Sequence, residues 1–250
     1  VRHGAPLNPR WRPWFRGLSR RAFLLTLLAG WALIAVASLP YFDPEALPPF
    51  VIEKLPVRFE ALWLVSLEVH VASAIVSLPL CLLLMTRTLQ RRPRLHHWLG
   101  RFTGLSVLAA LVPSGVVLAF DAKGGAVVAA GFLLSGGIVA VAMVHGILAA
   151  RRRDLRAHAR GMWHVVAQMS VAVTSRASML ALDATGVDPD FAYVVALWGP
   201  VLASALTTEW IFRRPSLDPF SISLRFIHDV SYKGLAHVRS LARPVVRSGR

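Results

Sequence analysis

The sequence is short of charge. Only 16% of its 250 residues are Asp, Glu, Lys or Arg, against roughly 25% in soluble domains. It is shorter still of acid: 13 Asp and Glu stand against 28 Lys and Arg. There is one cysteine, Cys81, inside an apolar run. That excludes an intrachain disulfide and a cysteine-based metal site, and Cys81 reads as a small buried apolar side chain. No Walker loop, dinucleotide fingerprint, zinc-protease helix or nucleophile elbow is present. Strand-type alternation is missing too, which argues against a transmembrane barrel.

What fills the chain instead is apolar sequence, 55% of residues, with a mean hydropathy of +0.55. It falls into six stretches: Ala22 to Leu39, Ala61 to Met85, Phe102 to Phe120, Ala126 to Ala150, Met162 to Leu182 and Phe191 to Phe212. Each approaches the roughly 20 residues that an α-helix needs to cross a bilayer. Lipid offers the backbone no hydrogen-bond partner, so the spans must be helices. The expected fold is all-α: a polytopic membrane bundle of about six transmembrane helices. Residues 61–182 would form a four-helix core, with the first (22–39) and sixth (191–212) spans beside it.

The net charge of +15 would suit nucleic acid in a soluble protein. Here the basic residues sit in short blocks between apolar runs, so no nucleic-acid partner is expected and the pattern reads as topology. Of all the Lys and Arg, only Lys54, Arg58, Lys123 and Arg176 lie outside four segments: 1–21, 87–101, 151–160 and 213–250. The other connections carry Asp43, Glu45, Glu53 and Glu60, then Asp121, then Asp183, Asp188 and Asp190. That bias places both termini in the cytoplasm. Ser19-Arg20-Arg21 resembles a twin-arginine export signal and Ala35-Val36-Ala37 a cleavage site; the flank is simply basic, and the first stretch is read as an uncleaved span. The arm 1–21 carries Trp11, Trp14 and Phe15 among its arginines, suited to the headgroup level. In the tail 213–250, Leu217, Phe220, Leu224 and Ile227 recur at helical spacing, the pattern of an amphipathic helix on the membrane surface. The lipid bilayer is the first partner implied. A larger membrane complex, docked through the basic terminal arms, is the second.

Two basic, aromatic entrances echo one another: Leu95-His96-His97-Trp98 before the third span, and His158-Ala159-Arg160-Gly161-Met162-Trp163 before the fifth. With Pro93-Arg94 before it and Leu99-Gly100-Arg101 after, the first resembles an entrance motif of the bacterial predicted membrane proteins grouped as the domain of unknown function 2306. His70, the set Asp154, His158, Arg160 and Met162, and the deep Arg176 fit the same pattern over about residues 61–182. His164 departs from it, where the family tends to have Arg, and His145 lies outside it. The resemblance implies a fold in the cytoplasmic membrane more than a reaction. The His-bearing core is also similar in outline to membrane b-type cytochromes. A diheme arrangement would need a second His pair in the outer half, where only His70 stands.

Ionisable groups at lipid depth are costly and mark candidate sites. Helix rise puts Glu68 and His70 roughly 10–14 Å below the outer edge and Arg176 roughly 9 Å below it. These three are expected to pair, as a register-fixing ion pair or as an anion, proton or quinone headgroup site. The inner level holds His96, His97, His145, His158 and His164. His145 and His164, on adjacent helices, are the candidate axial ligands of one haem b; His96 and His158 are weaker candidates beside the basic loops. His164 and Gln168 share a face at i, i+4. Pro113 and Gly115 should kink the third span, Gly136 and Gly137 should admit a close neighbour, and Pro200 should bend the sixth. Ser170, Thr174, Ser175 and Ser178 form a polar patch suited to bonds between helices. Three functions stay open: a redox or quinone-interacting membrane protein, a non-catalytic subunit of a larger complex, and a small transporter.

The charge bias makes a direct prediction. Reporter fusions after Arg213 or within 151–153 should stay cytoplasmic, and one inserted at 184–187 should be exported. Export of the Arg213 fusion would refute the orientation.

Overall fold

The computed structural model describes residues 12–214, apart from 44, 45 and 47, with side chains described from Ala22 onward. The basic tail and most of the N-terminal arm therefore lie outside the described residues. Every regular element described is helical. The helices are α1 (Arg12–Ala37), α2 (Pro49–Lys54), α3 (Glu60–Leu84), α4 (Arg87–Gln90), α5 (Pro93–Leu105), α6 (Val112–Phe120), α7 (Gly125–Arg151), α8 (Leu155–Met169), α9 (Val171–Asp183) and α10 (Pro189–Arg213). A 3₁₀ turn, Leu39–Phe42, follows α1, and a π-helical turn, Ser106–Leu111, joins α5 to α6.

Five helical segments are long and apolar enough to cross a membrane: Glu60–Leu84, Pro93–Phe120, Gly125–Arg151, Leu155–Asp183 and Pro189–Arg213. The apolar part of α1, Ala22–Ala37, is shorter; at 1.5 Å per residue it covers about 24 Å. The six expected spans are thus five full ones and a shorter first. The third starts at Pro93 rather than Phe102, because the entrance motif is itself helical and Pro93 occupies its first turn, where a missing N–H costs nothing. Side-chain caps set other starts: Asp154 accepts from Ala157 N at 2.9 Å and Asp188 from Phe191 N at 2.9 Å. The tight α6–α7 turn uses Gly124 and Gly125 at φ +88° and +68°, a region costly for any residue with a Cβ.

The main core joins α1, α3, the π turn, α7 and α8 through Leu27, Leu78, Cys81, Val107, Met143 and Val165. Cys81 is 5% exposed, an apolar core residue as expected. A second cluster, Val128, Val171, Leu197 and Val201, fixes α10 against α7 and α9. The outward surfaces keep large apolar side chains exposed, among them Leu62, Val65, Leu105, Val141 and Leu206. For helices meant to face lipid that is the expected pattern.

α7 and α8 make the closest approach. A Cβ on Gly161 would lie 2.7 Å from Ala142 O and 3.0 Å from Gly146 Cα. This is the small-residue packing used where helices meet in lipid. It occurs at Gly146 and Gly161, and not at Gly136 and Gly137, whose added Cβ atoms would meet nothing within 4 Å. α1 meets α3 and α9: Trp31 Nε1 donates to Ile75 O at 2.9 Å, and Gly30 packs on Val173.

In the third span a proline coincides with a break in the α-helical ladder. Pro113 has no N–H for the carbonyl one turn back. The chain before it widens into the π turn, and the Ser114 hydroxyl donates to Ala110 O at 2.6 Å. Pro200 lies inside α10, which runs unbroken from Pro189 to Arg213. The expected polar patch in the fifth span also resolves locally: Ser170 and Thr174 donate to Ala167 O and Ser170 O of their own chain segment.

Gly161→Val should lower stability by about 1–3 kcal/mol through overpacking, read as an earlier thermal transition in detergent. Gly100→Ala, whose Cβ would meet nothing within 4 Å, should leave that transition in place. Equal effects would mean that the α7–α8 contact is not limiting.

Candidate functional site

α8 presents Arg160, His164 and Gln168 at i, i+4 and i+8, one stripe along one face. All three engage α10. Arg160 grips Glu209 with both prongs, Nε to Oε1 at 3.0 Å and Nη2 to Oε2 at 2.5 Å. His164 Nε2 donates to Glu209 Oε1 at 2.7 Å. Gln168, 2% exposed, donates to Val201 O at 3.1 Å and Ser204 Oγ at 3.0 Å, and accepts from Ser135 Oγ of α7 at 2.9 Å. Glu209 also has Arg213 Nε at 3.7 Å. His164 Nδ1 is buried and has no hydrogen-bond partner among the described residues.

Beside this stripe lies a cleft of about 890 Å³. Leu133, Leu134, Ile138 and Val141 of α7 form its apolar wall, and His145, Arg152, Arg160, His164 and Glu209 line its polar part. Gly137 also lines it, which is where that glycine has its effect. The structure therefore brings His145 and His164 to one cavity. His145 is exposed and makes no hydrogen bond to the described residues. Glu209 was the missed partner. In the sequence Glu209 shows as an ionisable residue near the end of the sixth span, and its pairing with α8 does not show there.

His96 and His158 belong to a separate junction. His158 Nδ1 donates to Gly146 O at 2.8 Å, tying α8 to α7 beside their glycine contact. His96 lies within electrostatic reach of His158 and 6.3 Å, ring to ring, from His97. His96 Nδ1 is buried without a partner among the described residues. Trp98 is exposed, with Arg101 stacked 5.8 Å from its ring, a pairing suited to a membrane interface.

The outer level differs from the expectation. Among the described residues, no hydrogen bond or ion pair joins Arg176 to Glu68 or His70. Arg176 Nη1 donates to Ala172 O of its own helix at 2.8 Å, and Glu68 is exposed. Depth along a helix fixes height and leaves direction open, and here α1 contacts both α3 and α9. His70 is used by the π turn: its Nδ1 donates to Leu111 O at 3.1 Å and lies 3.3 Å from Ser114 Oγ. A Cβ on Gly115 would lie 3.0 Å from His70 Cε1, so the glycine makes room for the ring. Arg176 instead shares electrostatic reach of Tyr193 with Lys123 and Glu53.

At that same end α2 lies across the α6–α7 turn. Lys54 Nζ donates to Asp121 O, and Lys123 pairs with Glu53. Val51 of α2 is buried with Trp63 and Leu67.

These features define a polytopic α-helical integral membrane protein with an amphipathic cleft at its basic end. The chain belongs to the family described as Predicted membrane protein (DUF2306), which matches residues 67–212. No curated protein and no solved structure matches it.

The Glu53 carboxyl is held below the usual carboxylate range, first by the hydrogen bond from Lys123 and then by its charge. A carboxylate lowered by folding stabilises above its unfolded value and loses that contribution as pH falls through its folded one. A spin label at Ile52→Cys should therefore gain mobility as pH falls below the usual carboxylate range. In the Glu53→Gln background it should be mobile already at neutral pH. Identical spectra in the two backgrounds at pH 7 would show that this pair does not hold α2.

Proposed function

We propose that this chain is a quinone-interacting membrane protein and that the cleft between α7, α8 and α10 receives the quinone headgroup. The observation that carries the reading is the pairing of a long apolar wall with a compact polar end in one cavity. A quinone needs apolar surface for its tail and a hydrogen-bond donor for each carbonyl. His145 offers such a donor. The carboxylates Asp154 and Glu209 balance Arg152 and Arg160 along the lining, which suits a neutral headgroup better than an anion. The Glu209–His164 hydrogen bond lies beside it.

Haem b ligation by His145 and His164 has less support. Axial ligation needs an imidazole nitrogen that is both accessible and unengaged. His164 gives Nε2 to Glu209, and its Nδ1 is sealed.

Titration of the detergent-purified protein with short-tail ubiquinone and menaquinone analogues should give saturable binding. His145→Ala should weaken it about fivefold, the scale of one lost hydrogen bond. No saturable binding of either analogue would overturn the proposal. A reduced-minus-oxidised visible spectrum with haem bands would favour the haem reading instead.

A further inference from the structure

The connection between α1 and α3 carries large apolar side chains on its surface, where a loop in water would carry polar ones. Leu39, Ile52 and Phe59 are 62%, 59% and 63% exposed. Its short helix, α2, does not stand above the bundle. The Phe50 ring lies 6.4 Å from the ring of Tyr41 and 6.0 Å from that of Trp63. Val51 is buried in one cluster with Trp63 and Leu67, and Leu118 of α6 packs against that cluster. Since α3 begins at Glu60, Trp63 and Leu67 lie roughly 5 and 10 Å inside that span. α2 is therefore level with about the first two turns of α3. Its sides have different surroundings. Val51 faces the core, Glu53 and Lys54 reach Lys123 and Asp121 O of the α6–α7 turn, and Ile52 faces outward.

We propose that α2 is an interfacial membrane helix, and that its outward face, with Leu39 and Phe59, is covered by lipid acyl chains of the leaflet away from the basic loops. An apolar side chain exposed at the level of the first turns of a span meets the boundary of the hydrocarbon. The length of α1 puts the connection at the same level. The apolar part, Ala22–Ala37, covers about 24 Å of roughly 30 Å of hydrocarbon. The chain therefore leaves α1 before the far boundary, and the exposed Leu39 opens the 3₁₀ turn that follows. The surface is also continuous with that of α3. Phe59, the N-cap residue of α3, is in helical register with Leu62, Val65 and Val69, an exposed stripe of that helix. Arg58 stacks 5.3 Å from the Phe59 ring centroid, the placing of a long basic side chain at a bilayer edge. A helix of six residues is too short to form on a bilayer by itself. The Val51 cluster and the ties to the α6–α7 turn hold it at this depth. None of this rests on the quinone reading.

The full chain is spin-labelled at one introduced cysteine at a time and reconstituted in phosphatidylcholine vesicles at neutral pH. Wild type, whose Cys81 is buried, is the labelling blank. Each label is read by its collisions with oxygen, which concentrates in hydrocarbon, and with a neutral nickel chelate, which stays in water. The label at Ile52→Cys should favour oxygen and report a depth of roughly 5–10 Å into the headgroup and acyl boundary. Val69→Cys, farther into α3, should read deeper. Ala184→Cys, exposed in the α9–α10 connection at the same end, should read as water. Should Ile52→Cys not fold, Leu39→Cys and Phe59→Cys carry the same expectation as Ile52→Cys. Nickel access at these positions equal to that at Ala184→Cys would place the connection in water and overturn the proposal. Labels shielded from both reagents would mean that protein covers the face, a second copy if the shielding fades on dilution into more lipid. That result would overturn acyl chains as the occupant.

Discussion

Two helices can touch backbone to backbone only where neither interposes a side chain, and α7 and α8 do so at Gly146 and Gly161. The rest of the basic end follows from that contact. With Gly161 turned to α7, Arg160, His164 and Gln168 are turned to α10. With Gly146 facing α8, its carbonyl is within reach of the His158 ring. The cleft exists because the close contact is confined to one end. Farther along α7, Gly137 lines the cavity, and a Cβ on it would meet nothing within 4 Å.

The same protein shows how hydroxyls and rings keep a lipid-embedded backbone satisfied. Ser38, Thr103, Ser114, Ser170 and Thr208 donate to carbonyls three or four residues back. Each solves a local problem, and Ser114 Oγ also lies 3.3 Å from His70 Nδ1 of α3. Other polar ties run between elements, among them His70 to Leu111, Ser77 to Ser106, Trp31 to Ile75, Trp198 to Val127, His158 to Gly146, and the α8–α10 stripe. Those are the bonds that set which helix sits beside which.

Much of this was legible in the sequence. Spans two, four and six begin and end within a residue or two of their apolar runs, because an apolar run bounded by charge leaves little choice in lipid. The convergence of His145 and His164 on one cavity followed from their places on consecutive helices. Other features were not legible, for definite reasons. Glu68 and Arg176 share a height, but height says nothing about azimuth or about a helix standing near both. Glycine spacing does not say which pair meets a neighbour; that depends on helix rotation. The Arg160–Glu209 grip needed knowledge that α10 packs on α8, which no local pattern carries.

The π turn at Ser106–Leu111 has a consequence for the third span as a whole. A π turn amounts to one residue more than an α-helix would use over the same rise. One residue corresponds to about 100° of rotation. The segment bearing His96, His97 and Trp98 and the segment bearing Ser114 and Gly115 are therefore phased independently, although they form one continuous rod. Deleting a single residue there would mend the helical ladder and leave both sequences intact. It would also turn one end of the rod against the other, so that either the entrance motif or the His70 contact would point the wrong way.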